Sequence, residues 1–156
     1  MQSYAFICCI FADELIIMLF SMKYLKCFPL TLACVALIWF LCFCTPPSTS
    51  LDEVPFIDKW VHMAMYGGTT SVFWLEYWRF EAANKKWSER KLLALAVAFP
   101  ILMSGLIELL QAYCTGGRRS GDWMDFLANS CGVLLGLVIG LTAMRHMAQW
   151  LFHQKD

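Results

Sequence analysis

The fold of this chain is decided by two long apolar stretches, LLALAVAFPILMSGLIELLQAYC at residues 92–114 and WMDFLANSCGVLLGLVIGLTAMRHM at residues 123–147. Each is longer than the roughly 20 residues that an α-helix needs to cross the hydrocarbon core of a bilayer. The whole chain is also unusually apolar, because 60% of its 156 residues are hydrophobic and 15% are charged. Soluble domains are about half apolar and a quarter charged. The sequence therefore predicts an integral membrane protein.

Two further apolar stretches lie upstream, at residues 27–44 and 57–80. The second ends in Trp74, Tyr77 and Trp78, whose amphipathic rings are typical of the membrane interface. We therefore predict an all-α fold, a four-helix transmembrane bundle. Its single domain covers residues 22–148, with helices at about 27–44, 57–80, 92–114 and 123–147, and a cytoplasmic tail follows at 149–156. Pro100 is expected to kink the third helix.

The first 21 residues form a separate question. They are apolar but interrupted by Asp13 and Glu14, and the basic stretch from Met22 to Lys26 is typical of the start of a membrane protein. We expect residues 1–21 to be an N-terminal extension, either lying upstream of the natural start or forming a peripheral helix. The alternative is that these residues form an extra transmembrane helix. In that case only the side of the membrane on which Met1 lies would change.

The distribution of lysine and arginine predicts the orientation, because basic residues that flank membrane helices stay in the cytoplasm. With the N-terminus of the four-helix unit inside, nine basic residues lie inside and three outside. The nine are Lys23, Lys26, Arg79, Lys85, Lys86, Arg90, Lys91, Arg145 and Lys155, and the three are Lys59, Arg118 and Arg119. We expect a multi-pass membrane protein with both ends of the four-helix unit in the cytoplasm.

Composition argues against several other classes of function. Basic and acidic residues both number 12, and no basic run suggests a nucleic-acid partner. The eight cysteines form no CxxC pair and no Cys/His ligand pattern, so we expect small apolar side chains and no cofactor. A disulfide from Cys114 to Cys42 or Cys44 is the alternative.

Polar residues interrupt the apolar helices at helical spacing, so that each set shares one helix face. All sets lie toward the predicted outer side of the membrane and should converge on one polar site. Its predicted members are Asp58, His62, Glu108, Gln111, Asp122, Asp125 and Asn129, with Tyr66 and Ser104 on the same faces. Gly132, Gly136 and Gly140 form a small-residue stripe expected to pack helices closely.

Several of these residues have a purely structural alternative. Ser104, Gln111 and Asn129 could form interhelical hydrogen bonds, Asp122 could cap a helix, and Lys59 could pair with Asp58. Arg118 and Arg119 could be a solvated loop. Because they are adjacent arginines in a glycine-rich turn before a helix, we predict an anion-binding site.

Three blocks in this order resemble the VanZ-like family of small polytopic membrane proteins. They are Asp58-Lys59-x-x-His62-x-x-x-Tyr66, Ser104-x-x-x-Glu108-x-x-Gln111, and Arg119-x-x-Asp122-x-x-Asp125-x-x-x-Asn129-x-x-Gly132. The resemblance covers about residues 25 to 145. It implies an inner-membrane protein of the bacterial cell envelope, in a family named for resistance to the glycopeptide teicoplanin, but it supplies no reaction.

Three functions remain open from the sequence. The first is binding of an anionic lipid or lipid-linked cell-wall precursor at the outer face, with Arg118 and Arg119 on the anion and no catalysis. The second is a membrane enzyme acting on a lipid phosphate, with His62 or Glu108 as base and a cation held by Asp58, Asp122 or Asp125. The third is proton-coupled transport. Membrane lipids and a second copy of the chain are the expected partners.

Overall fold

The computed structural model describes residues 26–44, 54–83, 86–116 and 120–152 of the chain. Within these ranges the protein is all-helical and contains no strand, as the sequence predicts. The predicted extension at residues 1–21 lies outside the described residues, and so do Arg118 and Arg119.

Four helical rods of at least 15 residues make up the described structure. The first two rods are single helices, α1 (Pro29–Phe43) and α2 (Ile57–Ala83). The third rod consists of α3 (Glu89–Leu93), a π-helical segment (Ala94–Ala98) and α4 (Phe99–Cys114). The fourth rod consists of α5 (Trp123–Ile139), a π-helical segment (Gly140–Met144) and α6 (Arg145–Phe152). The second helix is three residues longer than predicted. The third begins three residues early, because the Ser88 side chain caps it by accepting a hydrogen bond from Lys91 N at 3.4 Å.

The proline in the third rod coincides with an irregular turn. Pro100 has no N–H to donate, and its ring crowds the carbonyl group four residues earlier, at Ala96. The π-helical segment Ala94–Ala98 lies directly before it and widens the backbone there. The kink predicted at Pro100 stays a prediction, and the structure shows this wider turn directly before the proline.

The third and fourth rods are long and apolar enough to cross a membrane, over Glu89–Cys114 and Trp123–Leu151. Only 33% and 28% of their apolar windows are buried inside the protein. A core helix of a soluble protein would be mostly buried. Here large side chains such as Leu102, Leu109 and Val138 face outward instead, which suits a surface surrounded by lipid.

The aromatic end of α2 contains rings that are buried between helices. Trp74 and Tyr77, whose residue types predict the membrane interface, are both buried inside the protein. They pack with Phe28, Phe73 and Ala96 in a core cluster formed by α1, α2 and the third rod. Their area stabilises the packing between helices, and their depth in the membrane stays a prediction.

The closest helix contact is between α2 and α5, which run in the same direction. An alanine Cβ at Gly136 would lie 2.6 Å from Gly67 O, and one at Gly132 would fall on the carbonyl oxygen of Met63. The predicted glycine stripe therefore lies against the backbone of α2, and its third member, Gly140, lies against the Trp74 ring. Backbones this close leave no room for a side chain.

Replacement of Gly132 by alanine should destabilise the protein by about 1–3 kcal/mol, the usual cost of overpacking. Gly68 is the matched control on α2, because a Cβ there meets nothing within 4 Å. Gly68→Ala should be neutral or slightly stabilising. Thermal unfolding of the purified variants in detergent measures both, and equal behaviour would show that the α2–α5 contact is looser than described.

Candidate functional site

A cluster of charged and polar side chains lies at one end of the rods, around the N-termini of α2 and α5 and the C-terminal half of α4. Asp58 lies in the first turn of α2 and Asp125 in the first turn of α5. The positive end of a helix dipole favours a carboxylate at both positions. Because α2 and α5 are parallel, their N-termini meet and bring the two carboxylates together.

The ammonium group of Lys59 lies at the centre of this cluster. Its Nζ is 2.6 Å from Asp122 Oδ2, 2.5 Å from Asp125 Oδ1 and 3.3 Å from Asp58 Oδ2. The Lys59 and Asp125 side chains are 22% and 10% exposed. The local pair with Asp58 considered from the sequence exists, but the two contacts across to α5 are shorter and less exposed.

Asp122 combines two roles that the sequence left as alternatives. It is the N-cap of α5, where its Oδ1 accepts a hydrogen bond from Met124 N at 2.9 Å. Its other oxygen accepts from Lys59. The hydrogen bond from Lys59 and then that from the Met124 N–H hold the pKa of the Asp122 carboxyl below its ordinary value.

A buried chain of hydrogen bonds leads from His62 into the protein. Asn129 Nδ2 donates to Ser104 Oγ at 2.8 Å, and Asn129 Oδ1 lies 3.1 Å from His62 Nδ1. With its amide nitrogen on Ser104, Asn129 presents its oxygen to His62, so Nδ1 carries the proton and donates. The three residues connect α2, α4 and α5, as the shared faces in the sequence predicted.

Glu108 reaches the same cluster from α4. Its Oε2 accepts a hydrogen bond from the backbone N–H of Asp122 at 2.9 Å. The approach is close because the preceding residue is Gly121, where a Cβ would fall on the Glu108 carbonyl oxygen. The second oxygen, Oε1, is buried and has no hydrogen-bond partner among the described residues.

Two predicted members of the polar faces have different surroundings. Gln111 is buried and donates from Nε2 to the carbonyl oxygen of Cys42 at 2.7 Å, which ties α4 to α1. Tyr66 packs in an apolar cluster with Ile38, Met103 and Val133. The hydrogen bond of Gln111 is thus a link between helices, and the Tyr66 ring is part of the core.

Glu76 is a buried carboxylate that the sequence analysis did not single out. It accepts hydrogen bonds from Leu30 N at 3.0 Å, Thr31 N at 2.9 Å and Thr31 Oγ1 at 2.7 Å. It therefore caps the N-terminus of α1, whose first N–H groups have no partner within their own helix. The sequence feature that could have indicated this role is the position of Glu76 within an aromatic, apolar part of α2.

The arginine and cysteine predictions have different outcomes. Arg118 and Arg119 lie outside the described residues, so the anion-binding site stays a prediction. Cys42, Cys44 and Cys114 carry no disulfide in the structure, which agrees with small apolar side chains rather than with the cross-link.

The described rods and their outward apolar side chains define an α-helical membrane protein with a polar cluster at one end. Its family follows from comparison with known sequences. The VanZ/LLP1 family model matches residues 15–144, and the chain belongs to this family. No curated protein and no solved structure matches it.

The Lys59 contacts predict a measurable loss when the ammonium group is removed. Lys59→Met should destabilise the protein by about 1.5–3 kcal/mol, the range for hydrogen bonds to charged groups, because it leaves the poorly exposed Asp125 carboxylate without a counter-charge. Lys86→Met is the control, since Lys86 is 65% exposed and lies 4.0 Å from Glu81; it should cost less than about 1 kcal/mol.

Unfolding of the Lys59→Met and Lys86→Met proteins in the same detergent compares their free energies of unfolding. Adding Asp125→Asn to Lys59→Met should recover part of the loss, because it removes the carboxylate that the lysine neutralises. A Lys59→Met protein as stable as Lys86→Met would show that the ammonium group does not bind α2 to α5.

Proposed function

We propose that this VanZ/LLP1 protein binds the polar headgroup of an envelope lipid or lipid-linked cell-wall precursor at the outer face of the bacterial inner membrane. In this proposal the binding reduces sensitivity to glycopeptides such as teicoplanin, as the family resemblance implies. The observation that carries the proposal is the buried Glu108 Oε1, which has no donor among the described residues.

A buried carboxylate oxygen without a donor is costly for the folded protein. A proton on the carboxyl group or a hydroxyl, amide or amine group of a ligand removes that cost. Oε2 is already fixed by Asp122 N, so Oε1 is the atom left to receive such a donor. Sugar and peptide headgroups carry donors of this kind, which favours a lipid-linked precursor over a simple hydrocarbon ligand.

An apolar groove supports an amphipathic ligand. A cavity of about 540 Å³ lies between α1, α2 and the third rod, and its lining includes Tyr66, Phe73 and Met103. Tyr66 is one helical turn from His62 on the same helix. A lipid tail in the groove could therefore continue into a headgroup at the polar cluster.

The separation of charge along the rods supports the proposed orientation. The acidic cluster lies at one end, and basic residues of the described chain gather at the other. There Lys91 lies 4.1 Å from the ring centre of Trp87, Arg145 lies 5.4 Å from that of Trp78, and Arg79 donates to Cys27 O at 3.0 Å. A basic end in the cytoplasm puts Glu108 and Lys59 at the outer side.

Arg118 and Arg119 complete the proposal as the groups that meet an anionic part of the headgroup. They come shortly before Asp122 in sequence. Their guanidinium groups would provide the bidentate donors that phosphate prefers.

A membrane enzyme acting on a lipid phosphate is the second candidate. It is favoured by the position of His62 Nε2, which lies 3.6 Å from Asp58 Oδ1 and 3.8 Å from Asp125 Oδ2. An imidazole flanked by carboxylates is suited to proton transfer. Release of phosphate from a lipid pyrophosphate by the purified protein would select this candidate over binding alone.

Glu108→Gln tests the proposed function. The variant keeps an acceptor for Asp122 N but places an NH₂ group where the ligand donor should bind. The full-length variant in lipid nanodiscs should then bind a lipid pyrophosphate with a sugar–peptide headgroup at least tenfold more weakly than the wild-type protein does. Its unfolding temperature should be nearly unchanged. Tenfold corresponds to about 1.4 kcal/mol.

Glu89→Gln is the matched control, since Glu89 is exposed in the first turn of α3, at the basic end. It should leave binding unchanged. If Glu108→Gln binds like wild type while Glu108→Ala unfolds more readily, the carboxyl group serves helix packing and the proposal is wrong.

A further inference from the structure

The surroundings of the His62 ring nitrogen that faces the cluster are electrostatically unusual. The side chain is 4% exposed, and Nδ1 donates to Asn129 Oδ1. In the neutral imidazole, Nε2 then carries a lone pair, and this nitrogen lies 3.6 Å from one oxygen of Asp58 and 3.8 Å from one oxygen of Asp125. Both distances are too long for a hydrogen bond. Three atoms that can each donate an electron pair to a cation thus face one another, two of them on poorly exposed side chains and one on the exposed Asp58.

Carboxylates outnumber cations in the part of the cluster that the structure describes. Asp58, Asp122 and Asp125 each carry a carboxylate, and Lys59 is the ammonium group that pairs with them. Asp125 is the least exposed of the three, at 10%, so a further counter-charge matters most there. A cation at the three facing atoms would offset this negative charge.

We propose that Asp58, His62 and Asp125 bind a divalent first-row cation such as Mn²⁺ or Zn²⁺ through Asp58 Oδ1, His62 Nε2 and Asp125 Oδ2. One ligand atom from each residue lies within 4.8 Å of the others. Ligands about 2.1 Å from a tetrahedral ion are about 3.4 Å apart, close to the two separations at Nε2. The third separation, between the Asp58 and Asp125 oxygens, would shorten to this value after a small movement of Asp58, whose side chain is 60% exposed.

Two further features of the cluster fit this assignment. Asn129 holds the Nδ1–H of His62, as a metal-binding histidine usually requires on its other ring nitrogen. Lys59 binds the Asp125 oxygen that the cation does not use, Oδ1, so the ammonium group and the cation occupy opposite sides of one carboxylate. An imidazole with two carboxylates suits Mn²⁺ or Zn²⁺ better than Ca²⁺ or Mg²⁺.

Three protein ligands leave coordination positions open for water or another ligand. A phosphate oxygen of a headgroup could fill one of them, which would reconcile a carboxylate-rich cluster with an anionic ligand. This last step rests on the proposed function, whereas cation binding does not.

The experiment measures Mn²⁺ binding to the purified full-length protein in detergent without added lipid, by electron paramagnetic resonance of the free ion. Mn²⁺ is the probe because the eight cysteines would also bind Zn²⁺. We expect one Mn²⁺ per chain, and at least tenfold weaker binding in Asp58→Asn and His62→Gln. Asp58→Asn should fold normally because its side chain is mostly exposed.

Glu89→Gln removes the same charge at the distant end and should bind Mn²⁺ like wild type. Failure of the wild-type protein to bind Mn²⁺ with a dissociation constant below about 1 mM would overturn the proposal, and so would unchanged binding by Asp58→Asn. Either result would leave headgroup binding at Glu108 untouched, since that assay needs no added cation.

Discussion

The close contact between α2 and α5 is the constraint on which the rest of the structure depends. Because Gly132 lies against the backbone of Met63, the two parallel helices approach too closely for any intervening side chain. Their first turns then lie side by side, and Lys59 reaches Asp125 while His62 reaches Asn129. The packing of small residues deep in the rods therefore determines the geometry of the charged cluster at their end.

The two ends of the molecule have different chemistry for physical reasons. At the basic end, aromatic rings and the Glu76 carboxylate hold α1 to α2, and every polar atom of that carboxylate has a partner. At the acidic end, Glu108 keeps one oxygen without a donor, and His62 Nε2 faces two carboxylates beyond hydrogen-bond distance. Glu108 Oε1 and His62 Nε2 are therefore the atoms of this cluster that are left to meet a ligand.

The helical period predicted much of this arrangement from the sequence. Spacings of three and four residues placed His62, Glu108 and Asn129 on inward faces, because only one face of each rod can avoid lipid. The same reasoning could not identify Lys59 as the centre of the cluster. Its neighbour Asp58 offered a local partner, whereas Asp122 and Asp125 lie 63 and 66 residues away in sequence.

Other features depend on packing that a periodic pattern does not contain. Trp74 and Tyr77 have the residue types of an interface belt, but they fill the space beside Phe73 in the core. Glu76 binds backbone N–H groups of α1, and backbone donors leave no mark in the sequence. Gln111 shares the face of Glu108, yet its long side chain reaches α1 one turn further along.

The central claim is that the polar cluster receives a ligand. The most direct test is photocrosslinking in intact cells with a lipid-linked cell-wall precursor that carries a diazirine on its headgroup, followed by mass spectrometry of the labelled peptides. The account predicts labels within residues 104–111 and 120–129, where α4 and α5 form the cluster. Labels confined to the outward side chains of Tyr113 and Trp123 at the same end of the rods, with none on the buried Glu108, Asp125 or Asn129, would contradict it, because they would show contact with bulk lipid only.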